Sequence, residues 1–181
     1  MRRDTVRNRE ALLAAARRVF EQDGIDAPLE AVAAEAGLSR TSLHRHFASR
    51  AELLAAIWEA DVVETEADAE RFARHPDGFV RILDATLAQQ IDRRTLHPDA
   101  AQIESADLAA LGERFVAAIL RTVGPSREAG ILHPEVSDDT VLRAVGMAIW
   151  AVWSVPDRDE RVRVAGEVRT VLLRGLLAAP G

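Results

Sequence analysis

Apolar residues recur at three- and four-residue intervals along almost the whole chain, and no stretch alternates with the period of two that a strand requires. The pattern predicts an all-α fold. In residues 7–24, Leu12, Leu13, Ala16, Val19 and Phe20 share one helical face, the other face is charged, and Gly24 is placed as a stop. Pro28 suits the first turn of a second helix, whose stripe of Leu29, Val32, Ala33 and Ala36 ends at Gly37. Ser39 is placed to cap a third helix that runs to about Phe47. Ser49 followed by Glu52 forms a capping box that opens a fourth.

The fourth helix is predicted to be long, from Arg50 to about Arg74, with Leu53, Leu54, Ile57, Trp58, Ala60 and Val62 near its apolar side and Pro76 beyond its end. A fifth carries Phe79, Ile82, Leu83, Thr86 and Leu87, and a loop is expected around His97. Residues 99–123 are expected to form a short helix and then one bearing Leu108, Leu111, Phe115, Ile119 and Leu120, broken by Gly124-Pro125-Ser126. Ser137 caps a helix with Val141, Leu142, Val145, Ile149, Trp150 and Trp153. Pro156 separates it from a last helix with Val164, Val168, Val171, Leu172 and Leu176. No segment repeats at a fixed period, which disfavours a helical solenoid.

Residues 30–47 place a short helix, a turn containing glycine and a second short helix at the spacing of a helix-turn-helix. At about 100° per residue, with Arg40 at zero, His44 falls near about 40°, Thr41 near about 100° and Arg45 near about 140°, whereas Leu43 and Phe47 fall near about 300° and about 340°. The second helix is therefore two-sided. Leu43 and Phe47 are expected to pack on helices one and two, which leaves Arg40, Thr41, His44 and Arg45 facing the major groove of a duplex. Ser39 at the helix start and Arg50 at the next are expected to hold phosphates, positioning the reader without specifying sequence. Arg2, Arg3, Arg7 and Arg9 read as a basic N-terminal arm.

Charge first argues against a nucleic-acid partner, because the net value is −6. Its distribution reverses that reading. Residues 1–50 hold nine Arg against seven acids, whereas residues 51–181 hold fourteen Arg against twenty-two, so only the N-terminal part faces phosphate comfortably. Cysteine is absent, which removes disulfides, thiolate metal sites and cysteine nucleophiles. No apolar run approaches the roughly 20 residues of a membrane span, and a cytoplasmic location is expected. No nucleophile, carboxylate pair or metal-ligand cluster stands at a catalytic spacing, so no catalytic residue, metal or cofactor is expected and the chain is not read as an enzyme.

Residues 9–54 strongly resemble the DNA-binding domain of TetR/AcrR-family regulators. The match runs through Phe20, Gly24, Val32-Ala33, Ala36-Gly37-Leu38-Ser39, Ser42-Leu43, Arg45-His46-Phe47 and Leu53-Leu54. The chain departs from the family at two positions, with Thr41 where a small residue is usual and His44 where Tyr is usual. The resemblance implies Ser39, Arg40, Thr41, Ser42, His44, Arg45, His46 and Arg50 as DNA contacts, with His46 at a position that tends to touch phosphate. It also implies an architecture of two parts. Residues 1–54 would be a three-helix DNA-binding domain, and residues 55–181 a helical ligand-binding and dimerisation domain.

Reading a palindrome needs two such helices roughly 34–36 Å apart, so a homodimer on double-stranded operator DNA is expected. Met147, Trp150, Ala151, Val168, Leu172 and Leu176 are the interface candidates on the last two helices, with small residues such as Gly146, Gly166 and Gly175 allowing close approach. Trp58, Trp150 and Trp153 are candidates to line a pocket for an unknown small-molecule effector. The function expected is that of a ligand-responsive repressor. The alternative is a helical adaptor that has lost DNA binding and uses the same surface for a protein partner.

Overall fold

A computed structural model describes residues 2–93 and 105–178. The described chain is a succession of α-helices: α1 (Arg2–Asp23), α2 (Leu29–Glu35), α3 (Arg40–His46), α4 (Arg50–Phe72), α5 (Gly78–Arg93), α6 (Ala106–Glu128), α7 (Asp138–Trp153) and α8 (Arg158–Leu176). Five of the starts are set by one device. Ser39, Ser49, Ser105, Ser137 and Asp157 each sit at an N-cap and accept a hydrogen bond from the backbone N–H three residues on, which satisfies a donor the helix itself leaves open. Among the described residues, no helix is long and apolar enough to cross a membrane.

Helix α2 stops because Gly37 turns left-handed, at φ 66°. The Leu38 N–H then reaches the Ala33 carbonyl at 2.9 Å and the Gly37 N–H reaches Ala34 at 3.0 Å, closing a Schellman motif. The same device closes α6. Gly130 has φ 70°, and the Ile131 N–H bonds the Ser126 carbonyl at 2.9 Å. The break expected at Gly124-Pro125-Ser126 is therefore corrected, since α6 runs through it to Glu128. Pro125 is accommodated in the last turns, where its fixed φ fits a helix and only one backbone bond is forgone. Ser126 meanwhile accepts the Phe79 N–H at 3.0 Å, tying the start of α5 to this turn.

The basic arm expected at the N-terminus is also corrected, because helix α1 already begins at Arg2. Arg7 pairs with Asp4 at 3.3 Å, and the Arg9 guanidinium lies 5.3 Å from the centre of the Phe47 ring. The loop expected around His97 and the short helix expected after residue 98 lie outside the described residues.

Two apolar cores form. The first joins Leu12, Val19 and Phe20 of α1, Val32 of α2, Leu43 of α3, Phe47, and Leu53, Leu54, Ile57 and Val62 of α4. Leu108 and Leu111 of α6 complete it, so this core runs on past residue 54, which itself lies inside α4. The second holds α5 at its centre, with Phe79, Ile82, Leu83 and Leu87 packed among residues of α6, α7 and α8. Residues 131–133 and 176–178 clip together, with the His133 N–H on the Leu176 carbonyl at 2.9 Å and the Ala178 N–H on Ile131 at 3.0 Å.

Helices α4 and α6 belong to both cores and are joined along their length. Arg114 of α6 grips Glu66 with two nitrogens, at 2.9 and 2.8 Å, and reaches Glu59 at 2.8 Å. The hydrogen bonds from Arg114 hold the Glu66 carboxyl below its usual range against the opposing effect of burial. Arg17 of α1 donates to the Ile57 carbonyl at 2.9 Å and pairs with the buried Asp61 at 3.4 Å. A rotation of α4 would therefore carry α1 with it.

Candidate nucleic-acid interface

Helix α3 is only seven residues long and owes its place to packing. Leu43 and Phe47 are fully buried against α1 and α2, so the opposite face of the helix is fixed outward. That face carries Arg40, Thr41, His44 and Arg45, all exposed, as the sequence predicts. Ser39 is exposed too. Its Oγ is occupied in accepting the Ser42 N–H at 3.1 Å, so the residue serves as the helix cap.

The outward face has internal contacts that periodicity alone does not reveal. Arg40 Nη1 lies 2.8 Å from a Glu30 oxygen of α2, and its Nε donates to His44 Nε2 at 3.4 Å. Arg45, by contrast, makes no ion pair or hydrogen bond among the described residues. The surface thus presents one free guanidinium and one held by a neighbouring carboxylate.

Two further candidates turn partly inward. The Arg50 guanidinium donates to the Ile25 carbonyl and to Asp26 at 3.4 Å, and it lies 5.7 Å from the Phe20 ring centre. It ties the α1–α2 loop to α4, a positioning role, and this corrects the expectation of a side chain free to grip phosphate. His46 is half-buried with its ring 6.5 Å from that of Phe47, and its Nε2 is buried with no hydrogen-bond partner among the described residues. That nitrogen does not face a phosphate.

The three tryptophan candidates lie on two helices, Trp58 on α4 and Trp150 and Trp153 on α7. Trp58 packs against the N-terminal core, Trp150 is 57% exposed on α7, and Trp153 is half-buried one turn further on. The α7–α8 surface is apolar where the sequence predicts an interface, with Met147 at 66% and Trp150 at 57% exposure. Ala151, Val168 and Leu172 are half-buried at its edge. Leu176 is corrected, because it lies in the protomer's own core, whereas Val171, absent from the expected interface set, is 69% exposed. The sequence carries a signal for it, since Val171 falls on the α8 stripe of Val164 and Val168 at three- and four-residue spacing.

Residues 12–57 match the family model described as bacterial regulatory proteins, tetR family. No curated protein sequence matches the chain. Among solved structures, the ketosteroid transcriptional regulator KstR2 of Mycobacterium tuberculosis is similar at 18% identity and a TM-score of 0.73, over 94% of this chain and 95% of that one. A TetR family transcription regulator from Marinobacter aquaeolei VT8 covers 99% of this chain and 100% of its own, at 18% identity and a TM-score of 0.66. SmeT, the repressor of the Stenotrophomonas maltophilia multidrug efflux pump SmeDEF, covers 94% and 90% at 19% identity and a TM-score of 0.62. The chain thus carries a tetR-family domain at residues 12–57, and along its described length it shares the all-helical fold of these regulators.

Proposed function

We propose that the protein is a ligand-responsive repressor that binds a palindromic operator as a homodimer, reading base edges with Arg40, Thr41, His44 and Arg45. The observation that carries this reading is the two-sided α3, held by buried Leu43 and Phe47 with its polar face uncovered. Exposed Met147, Trp150 and Val171 on α7 and α8 support a second copy as the cover of that apolar surface. The α4 helix starts beside α3 and ends in the second core, so an effector held among α4 to α8 has a rigid element through which to change the spacing of the two readers. Such an effector must prefer the conformation that does not bind DNA. SmeT, a repressor, has been solved in complex with triclosan, and another similar fold is a gamma-butyrolactone receptor, which favours a small-molecule effector here.

Fluorescence anisotropy with duplexes from the region upstream of the protein's own gene tests the reading. One fragment should bind tightly and with a steep salt dependence, and Arg45→Ala should relax sequence preference at that site. Failure to retain any duplex at low ionic strength would reject operator binding and favour the adaptor alternative.

A further inference from the structure

Phe79, Leu83, Thr86 and Gln90 fall within about 60° of one another around α5, on the face turned into the second core. The stripe changes character along its length. Phe79 and Leu83 are fully buried and apolar, and they are followed by Thr86 at 1% exposure and Gln90 at 0%. Neither the Thr86 hydroxyl nor either end of the Gln90 amide has a hydrogen-bond partner among the described residues.

Other buried polar groups of this region are satisfied. Thr122 donates to the Ile119 carbonyl at 2.8 Å, Thr65 to the Asp61 carbonyl at 2.9 Å, and the Ser126 hydroxyl accepts the Phe79 N–H at 3.0 Å. The nearby buried charges are engaged as well, Asp61 with Arg17 and Arg161 with the carbonyls of Ile91 and Pro156. Among the described residues, open hydrogen-bonding capacity in the second core is thus confined to one patch, and its atoms are neutral. Buried polar atoms are rarely left without partners, and exceptions call for an explanation. Leu or Val at these positions would pack without that penalty.

We propose that Thr86 and Gln90 are the polar end of the effector site, and that the effector is an uncharged, largely apolar molecule carrying a hydrogen-bond acceptor beside a donor, as in a carboxamide. This rests on the effector reading above and deepens it. The Gln90 amide offers two donors and an acceptor, and the Thr86 hydroxyl serves as either, which matches a neutral group of mixed character. A carboxylate or ammonium would enter a core whose ions are already paired, with its own charge uncompensated.

The test uses the full chain with octanamide, octanoate and octylamine as probes that differ only in the head group, followed by calorimetry and thermal shift. Octanamide should bind, and the two charged probes should bind at least about tenfold more weakly. Gln90→Leu and Thr86→Val should each weaken octanamide binding by about tenfold or more while leaving the melting temperature of the free protein unchanged or higher. Absence of octanamide binding, equal binding of a charged probe, or unchanged binding in Gln90→Leu would overturn the proposal. So would a marked fall in melting temperature in both variants, because the two side chains would then be structural. Operator anisotropy with octanamide present separates the two readings. Binding of octanamide with unchanged operator affinity supports the site and counts against its role as effector site.

Discussion

The carboxylate of Glu21, near the end of α1, lies 3.7 Å from the guanidinium of Arg161 on α8, and that arginine is 4% exposed. Arg161 also donates to the carbonyls of Ile91 at 3.0 Å and Pro156 at 2.7 Å, so the end of α5, the α7–α8 turn and the DNA-binding domain converge on one cation. The contacts are unequal. The carbonyls are short-range partners in a dry setting, whereas Glu21 is 39% exposed and further away. Arg161→Leu removes the donor from these two carbonyls, each loss costing about 1–3 kcal/mol, so unfolding free energy should fall by about 2–6 kcal/mol. Glu21→Gln should cost less than about 1 kcal/mol. Urea denaturation of both variants decides the matter, and equal destabilisation would show that the ion pair and not the carbonyl contacts holds the junction.

On the proposed reading, Glu30 competes with DNA for Arg40. The pair is 2.8 Å long and both side chains are more than half exposed, so it is worth at most about 1 kcal/mol. Glu30→Gln releases the guanidinium and removes a negative charge from beside the reader helix. Operator affinity should rise about two- to fivefold at low salt, with a smaller gain as screening increases. Affinity that stays level or falls in the anisotropy titration would mean that Arg40 reads DNA while still held by Glu30, or does not read it.

Met147 and Val171 supply a test of the dimer. Each is about two-thirds exposed, at 66% and 69%, so a charge placed there leaves the protomer core intact. In a dimer the same charge is buried without a partner, which is strongly unfavourable. Met147→Glu and Val171→Glu should shift the protein to monomer in light scattering and reduce operator affinity by at least about tenfold, since one reader then binds alone. Dimers that persist in both variants would move the interface elsewhere.

The helix-turn-helix is legible in the sequence because its signals are local. The caps at Ser39 and Ser49 and the outward set of Arg40, Thr41, His44 and Arg45 follow from spacing within a few residues. The true end of α6 has a local signal too, which outweighs the break suggested by Gly124-Pro125. Glu128-Ala129-Gly130-Ile131 repeats the pattern of Glu35-Ala36-Gly37-Leu38, a glycine followed by an apolar residue, and both close a helix in the same way. The inward turn of Arg50, the Arg161 junction and the packing of Trp58 on the N-terminal core are not legible, because each depends on which helices pack together. Thr86 lies between: its place in an apolar series is visible in the sequence, but its lack of a partner is not.

The two glycines near the end of α6 should respond to alanine in opposite directions. Gly124 lies inside the helix and, apart from its chain neighbours and the backbone of its own turns, no atom lies within 4 Å of the place a methyl carbon would take, so Gly124→Ala should stabilise, by less than about 1 kcal/mol because the Pro125 ring beside it takes back part of the gain. Gly130 has open space as well, but its φ of 70° is left-handed, and Gly130→Ala should destabilise by about 1 kcal/mol. Opposite shifts in thermal melts are the expected result, and equal shifts would place the helix stop at Gly124 after all.

Acid should loosen the clamp between α4 and α6. Glu66 is held below its ordinary value of 4.5 chiefly by hydrogen bonds from Arg114, so the folded state binds this proton more weakly than the unfolded state does. Its contribution to stability is therefore complete above the unfolded value and is lost as pH falls through the lower folded value. Glu66→Gln removes that titration while keeping one hydrogen-bond acceptor for Arg114. The variant should be slightly less stable than the parent at neutral pH, and the difference should narrow progressively below about pH 4.5. Melting temperatures measured from pH 7 down to pH 3 check the sign, and a gap that widens in acid would mean that the Arg114 contact does not stabilise the folded carboxylate.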